Sequence, residues 1–161
     1  MNNLTQGTNC WKAIFAVVLV TGLALLSSCS NSAAATIIFT KWGTTNGAPP
    51  VLMNMEGVVS GDAGAGKYVG EVLEYKPTPT GANITALYHI NGKMHSFTAR
   101  MSVTEDDKTG TAMLKGVVTD GWMKDAKVTG SYTVITPSGI INAQNGAGGD
   151  VAFQGTLHVE P

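Results

Sequence analysis

Five segments of the chain repeat one short pattern, apolar-x-Gly-x-apolar: Met55-Glu-Gly57-Val-Val59, Tyr68-Val-Gly70-Glu-Val72, Leu114-Lys-Gly116-Val-Val118, Val128-Thr-Gly130-Ser-Tyr132 and Phe153-Gln-Gly155-Thr-Leu157. In a strand, period two sends each glycine to the same face as its apolar neighbours. A glycine on the inward face permits sharp coiling and leaves room for a large side chain opposite. A small barrel needs that alternation of small and large, whereas a flat two-sheet core would be left with gaps. The pattern therefore points to an all-β, small antiparallel barrel, with a β-sandwich as the alternative.

Gly, Pro, Asn-Gly and Asp-Gly divide the chain into about eight apolar runs of strand length, and no window sustains a 3.6-residue period. The runs are Thr36 to Trp42, Met53 to Val59, Lys67 to Tyr75, Ala82 to Ile90, Lys93 to Val103, Thr111 to Thr119, Ala126 to Ile135 and Val151 to Val159. Only 13% of residues are charged, a balance that suits strands better than solvent-exposed helices. Asn91-Gly92 predicts a two-residue type I′ hairpin. Counting from that turn sets Ile90 against Lys93, Tyr88 against His95, Ala86 against Phe97 and Ile84 against Ala99, which gives one apolar and one mostly polar face on both strands.

The amino-terminal segment has a different organisation. Lys12 precedes an apolar run of 14 residues, Ala13 to Leu26, which small residues follow. This is the anatomy of a secretory signal, and the run is shorter than the roughly 20 residues a permanent spanning helix needs. The ending Leu26-Ser27-Ser28-Cys29 resembles the lipobox of bacterial lipoproteins. That resemblance implies cleavage before Cys29, a lipid on its sulfur, and membrane anchoring outside the cytoplasm; Ser30 after the cysteine implies the outer membrane if the host has two. The expected organisation is a signal peptide over 1–28, a lipidated cysteine and tether over 29–35, and one barrel domain over 36–161. Both cysteines of the chain, Cys10 and Cys29, are then committed, so the mature domain has no disulfide and no Cys metal site. A net charge of −1 without a cluster of Lys or Arg argues against a nucleic-acid partner.

Candidate chemistry is sparse. Gly61-Asp-Ala-Gly-Ala-Gly66-Lys67 has the letters of a phosphate-binding loop as far as the lysine, but Tyr68 stands where a hydroxyl residue should bind magnesium. A strand also follows where the mechanism needs a helix, so the segment reads as a turn. The hairpin count directs Tyr88 and His95 together to the inward face near a barrel mouth, either satisfying each other or orienting a ligand. Glu74 shares the parity of Tyr68, Gly70 and Val72 and either points inward as a carboxylate with raised pKa or reaches solvent. Tyr132 is inward and mainly core. Trp122 and Met123 after Asp120-Gly121 form either a plug over a barrel end, the default, or an exposed contact, and Glu105-Asp106-Asp107 reads as a solvated tip. His89 and His158 fall on outward faces, so no three-histidine metal site is supported, and no Ser-His-Asp or Cys-His arrangement can be placed. No cofactor is implied. Long loops at Gly43 to Pro50 and Thr136 to Asp150 are further places for binding.

With eight short strands and inward glycines, as in Gly57-Val-Val-Ser-Gly61 and Phe153-Gln-Gly155-Thr-Leu157, the region from Met53 to Val159 is similar to the allene oxide cyclase and dirigent barrels. The resemblance implies a cavity for an apolar small molecule and transfers no catalytic residue. The expected function is a tethered barrel binding an apolar or amphipathic small molecule, with Tyr88, His95, Tyr132, Tyr68 and Glu74 lining one end. The alternatives are an isomerase or cyclase in the same cavity, and a structural or adhesive envelope protein with a filled interior.

Overall fold

The structure is a computed structural model that describes residues 33–135 and 152–161. The leader, Cys29 with the tether up to residue 32, and the whole Thr136 to Asp150 loop with Val151 lie outside the described residues. Ser32–Pro161 form one compact unit.

Eight strands make up the described chain: β1 (Ala35–Asn46), β2 (Met53–Gly61), β3 (Gly66–Thr78), β4 (Gly81–Gly92), β5 (Ser96–Asp106), β6 (Thr111–Gly121), β7 (Lys127–Ile135) and β8 (Ala152–Glu160). Each pairs antiparallel with its neighbours in sequence, and β1 pairs with β8 from Ala35↔Val159 to Trp42↔Ala152. The sheet is thus a closed barrel, the fold the glycine pattern favours over a sandwich. Closure satisfies the backbone groups that an open sheet would present at its edges.

The inward glycines meet large residues across the ladder. Gly57 lies between Lys41 and Tyr68, Gly70 between Met55 and Tyr88, and Gly155 between Phe39 and Tyr132. Gly155 is the tightest to an aromatic core: a Cβ there would come within 2.6 Å of Phe39 Cζ and 2.7 Å of Tyr132 Cβ. In the middle of the barrel Phe39, Tyr68 and Tyr88 form an aromatic layer, with Tyr68 stacked on Phe39 at 5.6 Å and edge-on to Tyr88 at 5.0 Å.

Two features correct the sequence reading. The β4–β5 register is Asn91↔Ser96, Ile90↔Phe97, Tyr88↔Ala99 and Ala86↔Met101, four residues from the one a two-residue Asn-Gly turn dictates. Asn91 stays in the ladder opposite Ser96, and the connection is the longer segment from Gly92 to His95. Its backbone is held by the neighbouring β2–β3 turn: Met94 N and His95 N both donate to Ala63 O, and Lys93 N donates to Ala65 O. These tertiary bonds outweigh the local turn preference. Because the offset is even, inward residues stay inward, but His95 no longer faces Tyr88.

The second correction is a bulge between Val72 and Glu74 on β3, where Val72 pairs with Ala86 and Glu74 with Thr85. A bulge adds one residue and reverses the parity beyond it. Glu74 therefore turns to solvent, and Tyr75, opposite Ile84, takes the inward position.

The barrel's two poles differ. At one, the 62–65 turn buries Ala63 completely, and Trp122 and Met123 pack against the core as a plug. The Gly61-to-Gly66 segment is the β2–β3 turn, with Asp62 N bonded to Thr36 O and Gly64 N to Gly61 O, so these amides serve the barrel. The other pole carries the β1–β2, β3–β4 and β5–β6 connections and the paired ends of β7 and β8, and among the described residues it is open. Gly155→Ala is expected to destabilise the barrel by about 2 kcal/mol through overpacking, lowering Tm by several degrees in thermal unfolding; an unchanged Tm would mean that the interior is not packed at that layer.

Candidate functional site

The open pole leads into a cavity of about 280 Å³. Its walls are mostly apolar: Met55, Val72, Ile84, Ala86 and Val103 line the sides, and Gly70 and Tyr88 bound its inner end. Leu52, Met53 and Tyr75 stand around the opening, with Leu52 and Tyr75 more than half exposed. An eight-stranded barrel has an interior just wide enough to be filled by side chains or to hold one small ligand. Here the filled half is the plugged one, below the Phe39–Tyr68–Tyr88 layer.

Two charged residues line this cavity, Lys41 and Glu105. Lys41 follows Ile37 and Phe39 at period two on β1 and is only 3% exposed. Its Nζ donates to Tyr88 Oη at 3.1 Å and lies 4.0 Å from the centre of the Tyr132 ring, 5.2 Å from that of Phe153 and 5.3 Å from that of Tyr88. Ring faces attract a cation through their quadrupoles, more strongly where water is excluded. Among the described residues no carboxylate forms an ion pair with Lys41; Glu74 lies against Lys76 and Glu71 near His89.

Glu105, half-buried at the end of β5, accepts a hydrogen bond from Tyr132 Oη. Burial first, and then this bond to Glu105, hold the Tyr132 phenol well above its ordinary pKa. Burial, reinforced by the nearby Tyr88, does the same for Tyr68. Both phenols are therefore neutral over the physiological range. Tyr68 is 1% exposed, and its Oη has no hydrogen-bond partner among the described residues. It lies over Gly70, where a Cβ would come within 2.6 Å of it.

Of the five residues expected to line one barrel end, three gather in this half: Tyr88 and Tyr132 on the cavity wall and Tyr68 just beneath it. His95 belongs to the opposite pole, stacked on Trp122 with ring centroids 3.8 Å apart and planes 7° apart. Glu74 is on the outside, paired with Lys76 at 2.8 Å and accepting a hydrogen bond from Thr85 at 3.3 Å; the bond and charge of Lys76 lower its pKa. Glu105 is a wall residue that engages Tyr132, not solely a solvated tip. Lys41, Phe153 and Tyr75 are cavity residues that the sequence reading passed over. The signal for Lys41 was present, since period two from Ile37 and Phe39 aims it inward; Tyr75 was hidden by the bulge.

The other histidines lie on the outer surface. His89 Nδ1 is 3.0 Å from Thr98 Oγ1, and His158 Nδ1 is 3.3 Å from Thr36 Oγ1. Among the described residues no three His, Cys, Asp or Glu side chains gather as a metal site would require.

Comparison of the chain with known protein families, with curated proteins and with solved structures finds no match.

Proposed function

We propose that this protein is a membrane-tethered binding barrel that holds an apolar or amphipathic small molecule in the cavity at its open pole. The observation that carries this reading is the cavity itself: about 280 Å³, apolar on most of its wall, with polar groups at a few fixed points. Small-molecule sites have that composition. The volume is about twice the roughly 150 Å³ of a dry engineered cavity that holds benzene, which suits a ligand of roughly ten non-hydrogen atoms by that comparison. Exposed Leu52, Met53 and Tyr75 give an apolar molecule a compatible entrance. A structural protein with a filled interior fits this cavity poorly, and a cyclase would have to work without His95 in it.

The tether is the lipid on Cys29 that the lipobox implies. The barrel's outer surface supports a tethered rather than an embedded protein: Glu56, Lys67, Arg100, Lys115 and Lys127 are exposed on its strands, and charged side chains facing lipid are costly. β1 starts at Ala35 on the plugged pole, and the cavity opens at the other. Cys29→Ala is expected to abolish incorporation of labelled fatty acid and to move the protein from the membrane to the soluble fraction. Retention of both label and membrane location would refute the tether.

Binding is tested by thermal unfolding of Ser32–Pro161 with short-chain apolar and amphipathic compounds. A ligand at a hundred times its Kd adds about 2.7 kcal/mol, a Tm rise on the order of 10 °C for a domain of this size. Ala86→Phe, which places a ring in the cavity, should remove the rise. No rise with any compound, or the same rise in Ala86→Phe, would overturn the reading.

A further inference from the structure

We infer that the cavity takes an amphipathic monoanion, a small carboxylate with an apolar body, and that Lys41 is the residue that receives its charged end. The inference rests on the binding reading above and names the ligand class of that same site.

Lys41 is poorly explained as a structural residue. A lysine that serves packing alone lays its stem on apolar surface and extends its ammonium to water, but Lys41 is buried as a whole. A buried cation carries a desolvation cost that an apolar residue of the same length avoids. Its ammonium has three donors. One goes to Tyr88 Oη, the ring faces of Tyr132, Tyr88 and Phe153 surround it, and no further acceptor is within hydrogen-bond reach among the described residues. The side chain lines the cavity, so an oxygen brought in by a ligand can take what the protein leaves open.

A second observation points the same way. Tyr68 Oη is a buried hydroxyl without a partner among the described residues, next to Gly70 on the inner wall. Buried polar groups are normally satisfied. The Lys41 ammonium on the cavity wall, with the Tyr68 hydroxyl buried just behind Gly70, matches a ligand end that is negative and rich in acceptors. Glu105, the other charged wall residue, is engaged by Tyr132 Oη and lies beyond ion-pair distance of Lys41. The ring cage holds the ammonium in place before the ligand arrives, so less ordering is needed on binding.

The test uses calorimetric titration of Ser32–Pro161, a unit with its own core and closed ladder, against octanoate and its uncharged isostere octanamide. A charged hydrogen-bonded contact is expected to favour octanoate by about tenfold or more. In Lys41→Met the two compounds should bind within about twofold of each other, and the unliganded variant should unfold at or above the wild-type Tm, since an apolar replacement relieves a buried charge. Equal binding of octanoate and octanamide to the wild type would overturn the inference and leave the binding reading standing. A preference that survives in Lys41→Met, or a lower Tm for that variant, would also overturn the role of Lys41. If neither compound binds the wild type, this inference falls; the binding reading falls with it only if the wider compound series also gives no Tm rise. The wild-type ratio decides the ligand class even if Lys41→Met does not fold.

Discussion

The ladder between β1 and β8 closes the sheet, and most other properties of the structure follow from that closure. Without a disulfide among the described residues, the barrel is held by its hydrogen-bonded circuit and by the interior that the circuit encloses. A ring of eight strands curves sharply enough that large side chains from every strand cannot all point inward at one level. The glycines resolve the conflict locally: Gly155 admits Phe39 and Tyr132 to the same layer, and Gly70 gives Tyr68 and Tyr88 room to cross the barrel.

That arrangement divides the interior. Below the Phe39–Tyr68–Tyr88 layer the space is filled by side chains and capped by Ala63, Trp122 and Met123. Above it the wall residues are smaller or stand near the rim, and space remains. The one fully buried charged side chain among the described residues, Lys41, sits where the aromatic layer ends and the cavity begins. A residue that costs stability at a position where Met or Leu would pack is best accounted for by what it binds, and the trade of stability against function is common at binding sites.

How much of this was legible in the sequence depended on whether the determinant was local. Period-two alternation with a glycine at a constant place in five segments is a local signal, and it carried the barrel and the inward direction of Tyr68 and Tyr132; the alternation along β4 carried that of Tyr88. Lys41 obeyed the same rule and was legible in principle. The errors came from contacts between segments distant in sequence. Asn91-Gly92 has a strong turn preference, yet the Gly92-to-His95 segment is fixed by Ala63 and Ala65 from another hairpin, and that moved His95 from the mouth to the plug. The bulge after Val72 has no glycine or proline to announce it, and it exchanged Glu74 for Tyr75 on the inner face. The identity of the filled and open poles required knowing which loops cover the ends, which the strand pattern does not encode.

A ligand seated in the open-pole cavity would lie against particular methionines. Methionines report on it directly, because Met53 and Met55 line the cavity while Met94 and Met113 are exposed elsewhere. The most direct measurement is a methyl NMR titration of the methionine-labelled barrel with octanoate. Binding in the cavity should give saturable shifts of Met53 and Met55 with Met94 and Met113 unmoved. Shifts confined to Met94 or Met113, or no saturable shift at any methionine, would contradict it.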